Sequence, residues 1–453
     1  MTTKVFSAIV ADDLTGATTT GALLAARGVK NVVTIGDVKD VPADSIDALL
    51  VSTDSRQMAP EDAYSVVKKA TEELVALGGT HFSKRTDTTM RGGIGYEIDA
   101  MLDVLGEEYV AVIVPAMPPS KRVVVAGYSL IDSVLLSRTG VAQDILSPIT
   151  DSYLPTLLGK QIRGDLAFIG IGNVMNGHDA IEEKLRAYRE QGYRYFLCDS
   201  VSDEDVAEIA RAVTDLGWKT LCVDPGMFTT EYALAQGIAY EEKTPKAALR
   251  IDSSPTDRGT VIVVAGSATA TTRMQLGYLQ QLKGTSTLEV YSESMIEGGF
   301  WCEEETKKVV RRASQLLETN PPRILLITLD TTLSGAIVNL DKIEKEKNLE
   351  HGEGARNLAK NLAHVAQLVM EMYSERLAGL YCTGGDTLVN TCEAINAGGI
   401  SLEDYVIPQS DQGRIVGGPF DGLPVVGKGG LTGTEHTAVR IVNRLFDERK
   451  IND

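Results

Sequence analysis

Short strand-like runs alternate with longer amphipathic stretches along nearly the whole chain. In the first half, Val5–Val10, Asn31–Ile35, Ala48–Ser52, His81–Lys84, Tyr109–Val114, Leu166–Gly170, Tyr195–Asp199 and Thr220–Val223 are too short for helices and predict buried strands. Helical periodicity lies between several of them. One stretch puts Ile94, Ile98, Met101, Leu102 and Leu105 on a single face. Another begins at Ser202–Asp205, where Ser202 is a good N-cap and the following acids suit the positive end of a helix dipole. The pattern breaks at the polar, charge-rich stretch Ala239–Gly259. It resumes with strand candidates Thr260–Ala265, Thr287–Tyr291, Arg323–Thr328, Leu380–Thr383 and Leu423–Val426, and with helices over Glu303–Leu317, Ala355–Arg376 and Glu435–Phe446. Asp330–Glu353 is rich in charge and predicts a solvated helix and loop. The expectation is an α/β protein of two domains, residues 1–245 and 255–453, each a mainly parallel sheet flanked by helices. A chain of 453 residues also exceeds what one hydrophobic core normally serves.

Charge narrows the choice of partner. Lys and Arg number 44 against 62 Asp and Glu, a formal net charge of −18, which argues against nucleic acid and anionic membrane surfaces. An enzyme for anionic substrates built on this chain must concentrate its cations locally. Cys198, Cys222, Cys302, Cys382 and Cys392 show no CxxC pair or metal-ligand spacing, and free buried thiols in a reducing, cytoplasmic setting are expected. The first apolar run meets Asp12 and Asp13 too soon for a signal peptide, and no stretch approaches the roughly 18 apolar residues of a membrane span.

The candidate chemistry sits at strand ends. The first strand leads into Ala11-Asp-Asp-Leu-Thr-Gly-Ala17, where Asp12 and Asp13 could orient a polyol or receive a hydroxyl proton. A plain helix start, with Asp13 or Thr15 as N-cap and Gly16 easing the turn, explains the same residues. Lys84-Arg-Thr-Asp-Thr-Thr-Met-Arg-Gly-Gly93 puts three cations, Lys84, Arg85 and Arg91, into eight residues beside the hydroxyls of Thr86, Thr88 and Thr89. That composition suits a carboxylate or phosphate; an exposed basic loop is the plain alternative. Ser52-Thr-Asp-Ser-Arg56 repeats the theme at a third strand end, and Pro115-Ala-Met-Pro-Pro119 predicts a rigid turn.

In the second half three glycine-rich strand ends recur: Ala265-Gly-Ser-Ala-Thr-Ala270, Cys382-Thr-Gly-Gly-Asp-Thr387 and Val426-Gly-Lys-Gly-Gly-Leu-Thr-Gly433. Glycines let backbone amides approach a phosphate closely. Asp386 could hold Mg²⁺ or a ribose hydroxyl, and Lys428 could touch a phosphate. Gly422–Gly429 imitates a P-loop, but Gly429 stands where Ser or Thr is needed and the intervening residues are strand-like, so it is not one.

In this order the motifs resemble those of the four-carbon acid sugar kinase family, over nearly the whole chain. The resemblance rests on Ala11–Ala17, Thr53–Arg56, Lys84–Gly92, Asp199–Asp205, Ala265–Ser267, Thr383–Thr387 and Gly427–Gly430. It implies an N-terminal domain for the sugar acid, a C-terminal domain for ATP, and an active site between them. By resemblance Asp12, Asp13 and Arg91 belong to the substrate site, with Arg56, Lys84 and Asp87 beside them. Ser267, Gly384, Gly385, Asp386, Thr387 and Gly430 belong to the ATP site, next to Lys428 and Gly429. The chain departs from the family pattern at Thr88, at Gly429 and Leu431-Thr432, and at Pro118–Arg122, where an acidic Gly-Arg pattern is usual.

The expected reaction is Mg²⁺-assisted transfer of the ATP γ-phosphoryl group to the terminal hydroxyl of threonate, erythronate, 3-oxo-tetronate or a branched relative. Asp12 or Asp13 would position the hydroxyl and Arg91 would grip the acid's carboxylate. A metal-dependent lyase or aldolase and a non-catalytic sugar-acid sensor are the rival readings. A homo-oligomer is compatible with the sequence.

Overall fold

A computed structural model describes residues 6–35, 45–143, 147–240, 259–336 and 338–449. They fall into two compact units, residues 6–34 with 45–240 and residues 259–449 with Ile35. Most of the expected boundary stretch, 241–258, and with it the ends of the predicted domains at 245 and 255, lies outside the described residues, as does Val5.

The first unit is built on strands β1 (Ser7–Ala11), β2 (Asn31–Thr34), β3 (Ala48–Ser52), β4 (His81–Arg85) and β5 (Tyr109–Ile113). A small antiparallel sheet follows, β6 (Arg122–Val125), β7 (Tyr128–Ile131) and β8 (Val134–Leu135). The main sheet is completed by β9 (Leu166–Ile169), β10 (Tyr195–Cys198) and β11 (Lys219–Asp224). Its order is β2-β3-β1-β4-β11-β5-β10-β9, parallel throughout. Helices between the strands cover both faces, and for that reason β1 and β10 are buried along their whole length. The chain leaves β1 toward β2 and leaves β4 toward β5, in opposite directions. The crevice between β1 and β4 is therefore a topological switch point, the place where open α/β sheets bind ligands.

The second unit repeats the logic with β12 (Thr260–Ala265), β13 (Thr285–Val290), β14 (Ile324–Leu329), β15 (Leu377–Thr383), β16 (Gly399–Ile407), β17 (Ser410–Val416) and β18 (Pro424–Lys428). The order is β13-β14-β12-β15-β18-β17-β16, with β17 antiparallel to both neighbours. Here the opposed connections leave β12 and β15, whose ends carry two of the three glycine motifs. Each unit is thus the mainly parallel α/β layer that the alternation predicts.

The strands lie within a few residues of their expected positions. The additions are antiparallel: β6 to β8, and the β16–β17 hairpin. Ser410–Val416 is mostly polar and offers no apolar run to announce it. Ser202 caps the helix Asp203–Asp215 in a reciprocal capping box with Asp205. The long helix predicted to reach Arg376 stops at Met372 and gives way to a 3₁₀ turn. Within the stretch expected to be solvated, Glu344 is buried because it accepts the amides of Gly352 and Gly354 at the start of that same helix, at 3.2 and 3.0 Å. All five cysteines are free and buried. No described helix is long and apolar enough to cross a membrane.

Candidate active site

Three strand ends of the first unit meet at the β1–β4 crevice. Asp13 is the N-cap of the helix Leu14–Ala26, its Oδ1 accepting the Gly16 amide at 2.7 Å. The helix-start reading of this motif is therefore correct, and it does not exhaust what the aspartates do. Asp12 is 2% exposed. Its Oδ2 accepts Arg56 Nε at 2.7 Å and its Oδ1 accepts Arg85 Nη1 at 3.0 Å. The same two arginines reach Asp13, Arg56 Nη1 at 2.7 Å and Arg85 Nη1 at 2.9 Å. Asp87 adds a third carboxylate, bonded to Arg91 Nε at 2.7 Å and 3.9 Å from Arg56 Nη2. The Thr89 hydroxyl donates to Asp87 as well.

Burial opposes ionisation of Asp12, but Arg56, Arg85 and Lys84 outweigh it and hold the carboxyl below its ordinary range. Asp87 shows the same balance, burial against Arg56, Arg91 and Thr89, and is also held low. Both are anions at neutral pH. Asp12 is therefore a poor proton acceptor, with its oxygens already engaged, whereas the Asp13 side chain is 22% exposed. Two residues adopt left-handed backbone conformations beside the cluster, Asp54 (φ 50°) and the buried Met90 (φ 58°). Such strain persists where surrounding contacts over-determine the backbone.

The structure brings Asp12, Asp13, Arg56, Asp87 and Arg91 together. Lys84 points elsewhere: it is fully buried, ion-paired with Glu97 at 2.7 Å, and donates to the Arg85 carbonyl. The Arg91 guanidinium, expected to grip a carboxylate, has its Nε on Asp87. Arg85 is the residue the sequence reading left out of the site. Register would have found it, because Arg85 pairs with Ala11 and so borders Asp12, while the strand's alternation turns Lys84 the other way. Arg85 also explains Gly16: a Cβ there would lie 1.7 Å from Arg85 Nη1.

In the second unit the three glycine motifs form one cradle. Thr269 Oγ1 and Thr272 Oγ1 donate to the Gly430 carbonyl at 2.7 and 3.1 Å, Thr272 Oγ1 lies 3.2 Å from Ser267 Oγ, and the Gly384 amide donates to the Lys428 carbonyl at 2.9 Å. Gly384 sits at φ +111°, and a Cβ on Gly430 would lie 2.3 Å from Ser267 Oγ. Thr387 is buried in the first turn of the helix Gly385–Ala394, where its neighbour Asp386 is exposed. Gly429 continues the third loop beside them. Lys428 is 3% exposed, with Nζ donating to the Gly429 carbonyl at 2.7 Å. With no carboxylate paired to it among the described residues, burial pushes its ammonium down to about 8 from an ordinary 10.5. Backbone amides, a helix start and an uncompensated cation suit a polyphosphate.

Residues 7–232 match the family described as a sugar-binding N-terminal domain, and residues 262–438 the one described as a nucleotide-binding C-terminal domain. A D-erythronate kinase of Heliobacterium modesticaldum is 34% identical over 445 residues, 97% of this chain and 96% of that protein. The chain belongs to the four-carbon acid sugar kinase family. A second family member, a D-threonate kinase of Bordetella bronchiseptica, is 30% identical across 97% of this chain and 98% of its own. The family's fold is shared by a solved Haemophilus influenzae structure, with TM-score 0.71 at 21% identity over 98% of this chain and 99% of that one.

Two measurements test the geometry. Gly16→Ala gains about 1 kcal/mol of helix propensity but displaces Arg85 from two carboxylates, a loss of about 3 kcal/mol or more. Net destabilisation by chemical denaturation is expected; a stabilised variant would contradict the packing. For Lys428 the folded pKa lies below the unfolded one, so the unfolded chain holds more protons between about 8 and the unfolded value, and stability rises with pH across that window. Lys428→Met should therefore stabilise the free protein at pH 7, by on the order of 3 kcal/mol, with the gain fading by about pH 10.5, while weakening nucleotide binding. A gain that is the same at both pH values would show that the charge is not the cause.

Proposed function

We propose that the chain is an ATP-dependent kinase that phosphorylates the terminal hydroxyl of a four-carbon sugar acid such as erythronate, threonate or 3-oxo-tetronate. The observation that carries this reading is the match to sugar-acid kinases along almost the entire chain, 34% identity over 97% of it. We place the sugar-acid domain in residues 1–245 and the nucleotide domain in residues 255–453. The kinase relatives and the nucleotide-binding family over residues 262–438 support ATP as the donor.

Phosphoryl transfer asks for positioning and charge neutralisation more than for covalent help from the protein. Asp13, partly exposed and fixed by Arg56, Arg85 and the Gly16 amide, orients the acceptor hydroxyl. Asp12 braces the two arginines. Arg56, Asp87 and Arg91 line the polyol, with their own charges mutually satisfied. Ser267, Gly384, Gly385, Thr387, Gly429 and Gly430 present amides and hydroxyls to the phosphates, and Lys428 supplies a positive charge. The cradle also fits Mg²⁺. That ion keeps most of its water and phosphate ligands and needs few carboxylates, and Asp386 is exposed at the cradle's rim to serve as one. Bound there, it would neutralise charge on the transferring group.

ADP release is the test, measured with ATP, Mg²⁺ and a panel of linear and branched four-carbon acids. At least one linear acid should be turned over. Asp13→Asn should lower kcat by about a hundredfold or more with the KM for ATP unchanged. Asp12→Asn should lose stability as well, since the buried Arg85 and the half-buried Arg56 both lose an anion. Full activity in both variants would remove the aspartates from the mechanism.

A further inference from the structure

Around the carboxylate cluster at the β1–β4 crevice, one arginine is left without an ion pair among the described residues. Lys84 is matched by Glu97, and the guanidinium groups of Arg56, Arg85 and Arg91 are matched by the carboxylates of Asp12, Asp13 and Asp87. Among the described residues, Arg122 has no carboxylate within ion-pairing distance. Its Nη1 donates to the Ser120 carbonyl at 2.7 Å, and its Nε is sealed from solvent with no hydrogen-bond partner. A guanidinium offers five donors in a planar fork, so most of this one's capacity is unspent.

The fold fixes the backbone that carries that side chain. Arg122 opens β6 and is bridged to Met117, whose amide donates to the Arg122 carbonyl at 2.8 Å. Met117 lies just beyond the carboxyl end of β5, the sheet edge that also carries Asp12, Arg85 and Asp87. The small sheet is tied down a second time at the end of β10. Val124 and Ser200 pair as an isolated bridge, and Asp199 Oδ1 accepts the Gly127 amide at 2.9 Å while its Oδ2 accepts that of Ile171 at 2.8 Å. Burial draws the Arg122 guanidinium below its ordinary pKa, and the carboxylate that acts against this is Asp87. Arg122 therefore sits within electrostatic reach of the cluster without being neutralised by it.

We propose that Arg122 is the residue that receives the carboxylate of the acid, through the guanidinium donors that Ser120 leaves unspent, a grip that the other arginines, paired with aspartates, do not offer. This inference rests on the sugar-acid kinase reading and deepens it. A half-buried cation left without an anion costs free energy in the free protein, and an incoming monocarboxylate relieves that cost. An uncharged tetritol of the same length does not, so Arg122 discriminates acids from alcohols.

The experiment compares wild type with Arg122→Ala, Arg122→Lys and Arg122→Gln, using D-erythronate, D-threonate and the corresponding tetritols, with ADP release as readout. Arg122→Ala should raise the KM for the acid by about a hundredfold at unchanged KM for ATP. The preference for acid over tetritol should collapse, and Arg122→Lys should recover part of it by keeping the charge without the fork. A merely structural role would not change the acid-to-tetritol ratio. If Arg122→Ala does not fold, Arg122→Gln decides by the same ratio. An unchanged ratio, or an acid KM equal to wild type, overturns the proposal. Wild-type protein that turns over none of the acids overturns the kinase reading itself, so the two failures are separable.

Discussion

A carboxylate buried at the end of a strand has to be answered, and Asp12 sets the terms for much of the first unit. Left alone at 2% exposure, it would cost several kcal/mol or give up its charge. Two arginines from two other strand ends answer it, and both also hold Asp13. The loop after β3 cannot wander, because Thr53 bonds the Ala11 carbonyl through its amide and its hydroxyl, both at 2.9 Å. The helix after β1 must start with a residue lacking a side chain at position 16, because the Arg85 guanidinium occupies that space. Replacing such a network by apolar residues would leave a protein at least as stable. What the network provides is a fixed array of polar edges at one place on a sheet.

The second unit solves the opposite problem. Its ligand brings several negative charges, and a site already neutralised by carboxylates would offer them nothing. The cradle accordingly relies on amides, hydroxyls and glycines packed too closely to admit a Cβ, with Lys428 kept charged at a cost. The two units therefore divide the work between pre-paired side-chain charge for a polyol and unpaired dipoles for phosphates. Each places its array where connections leave adjacent parallel strands in opposite directions.

Much of this was legible in the chain because parallel, doubly covered strands appear as compact apolar runs, and because three glycine-rich strand ends recur in one domain. Ile94–Leu105 and the Ser202 cap could be placed to the residue for the same local reasons. Partnership could not be placed. The run Lys84–Arg91 looks like a surplus of positive charge, yet its cations are matched by Asp12, Asp13, Asp87 and Glu97, two of them more than 70 residues away in sequence. Which of Lys84 and Arg85 faces the crevice depends on strand register, a property of the assembled sheet. The β6–β8 sheet was hidden because its strands are short and its turns use left-handed residues such as Lys121 and Ala126 rather than glycine alone.

The composition posed the question of how a chain of net charge −18 handles anions. Surface charge beyond about 8 Å is largely screened at physiological ionic strength, so the excess acid on distant helices matters little at the crevice. What a ligand meets is the local balance. At the crevice of the first unit that balance is nearly neutral among the described residues, with Arg122 left over within electrostatic reach of Asp87. A site with several free cations would bind phosphate, sulfate or a dicarboxylate as readily as a sugar acid. A site with one unspent fork, set among arginines whose charges are already satisfied, selects for a single carboxylate attached to a polyol. Specificity in this fold then follows from how many of its arginines are occupied, more than from how many it has.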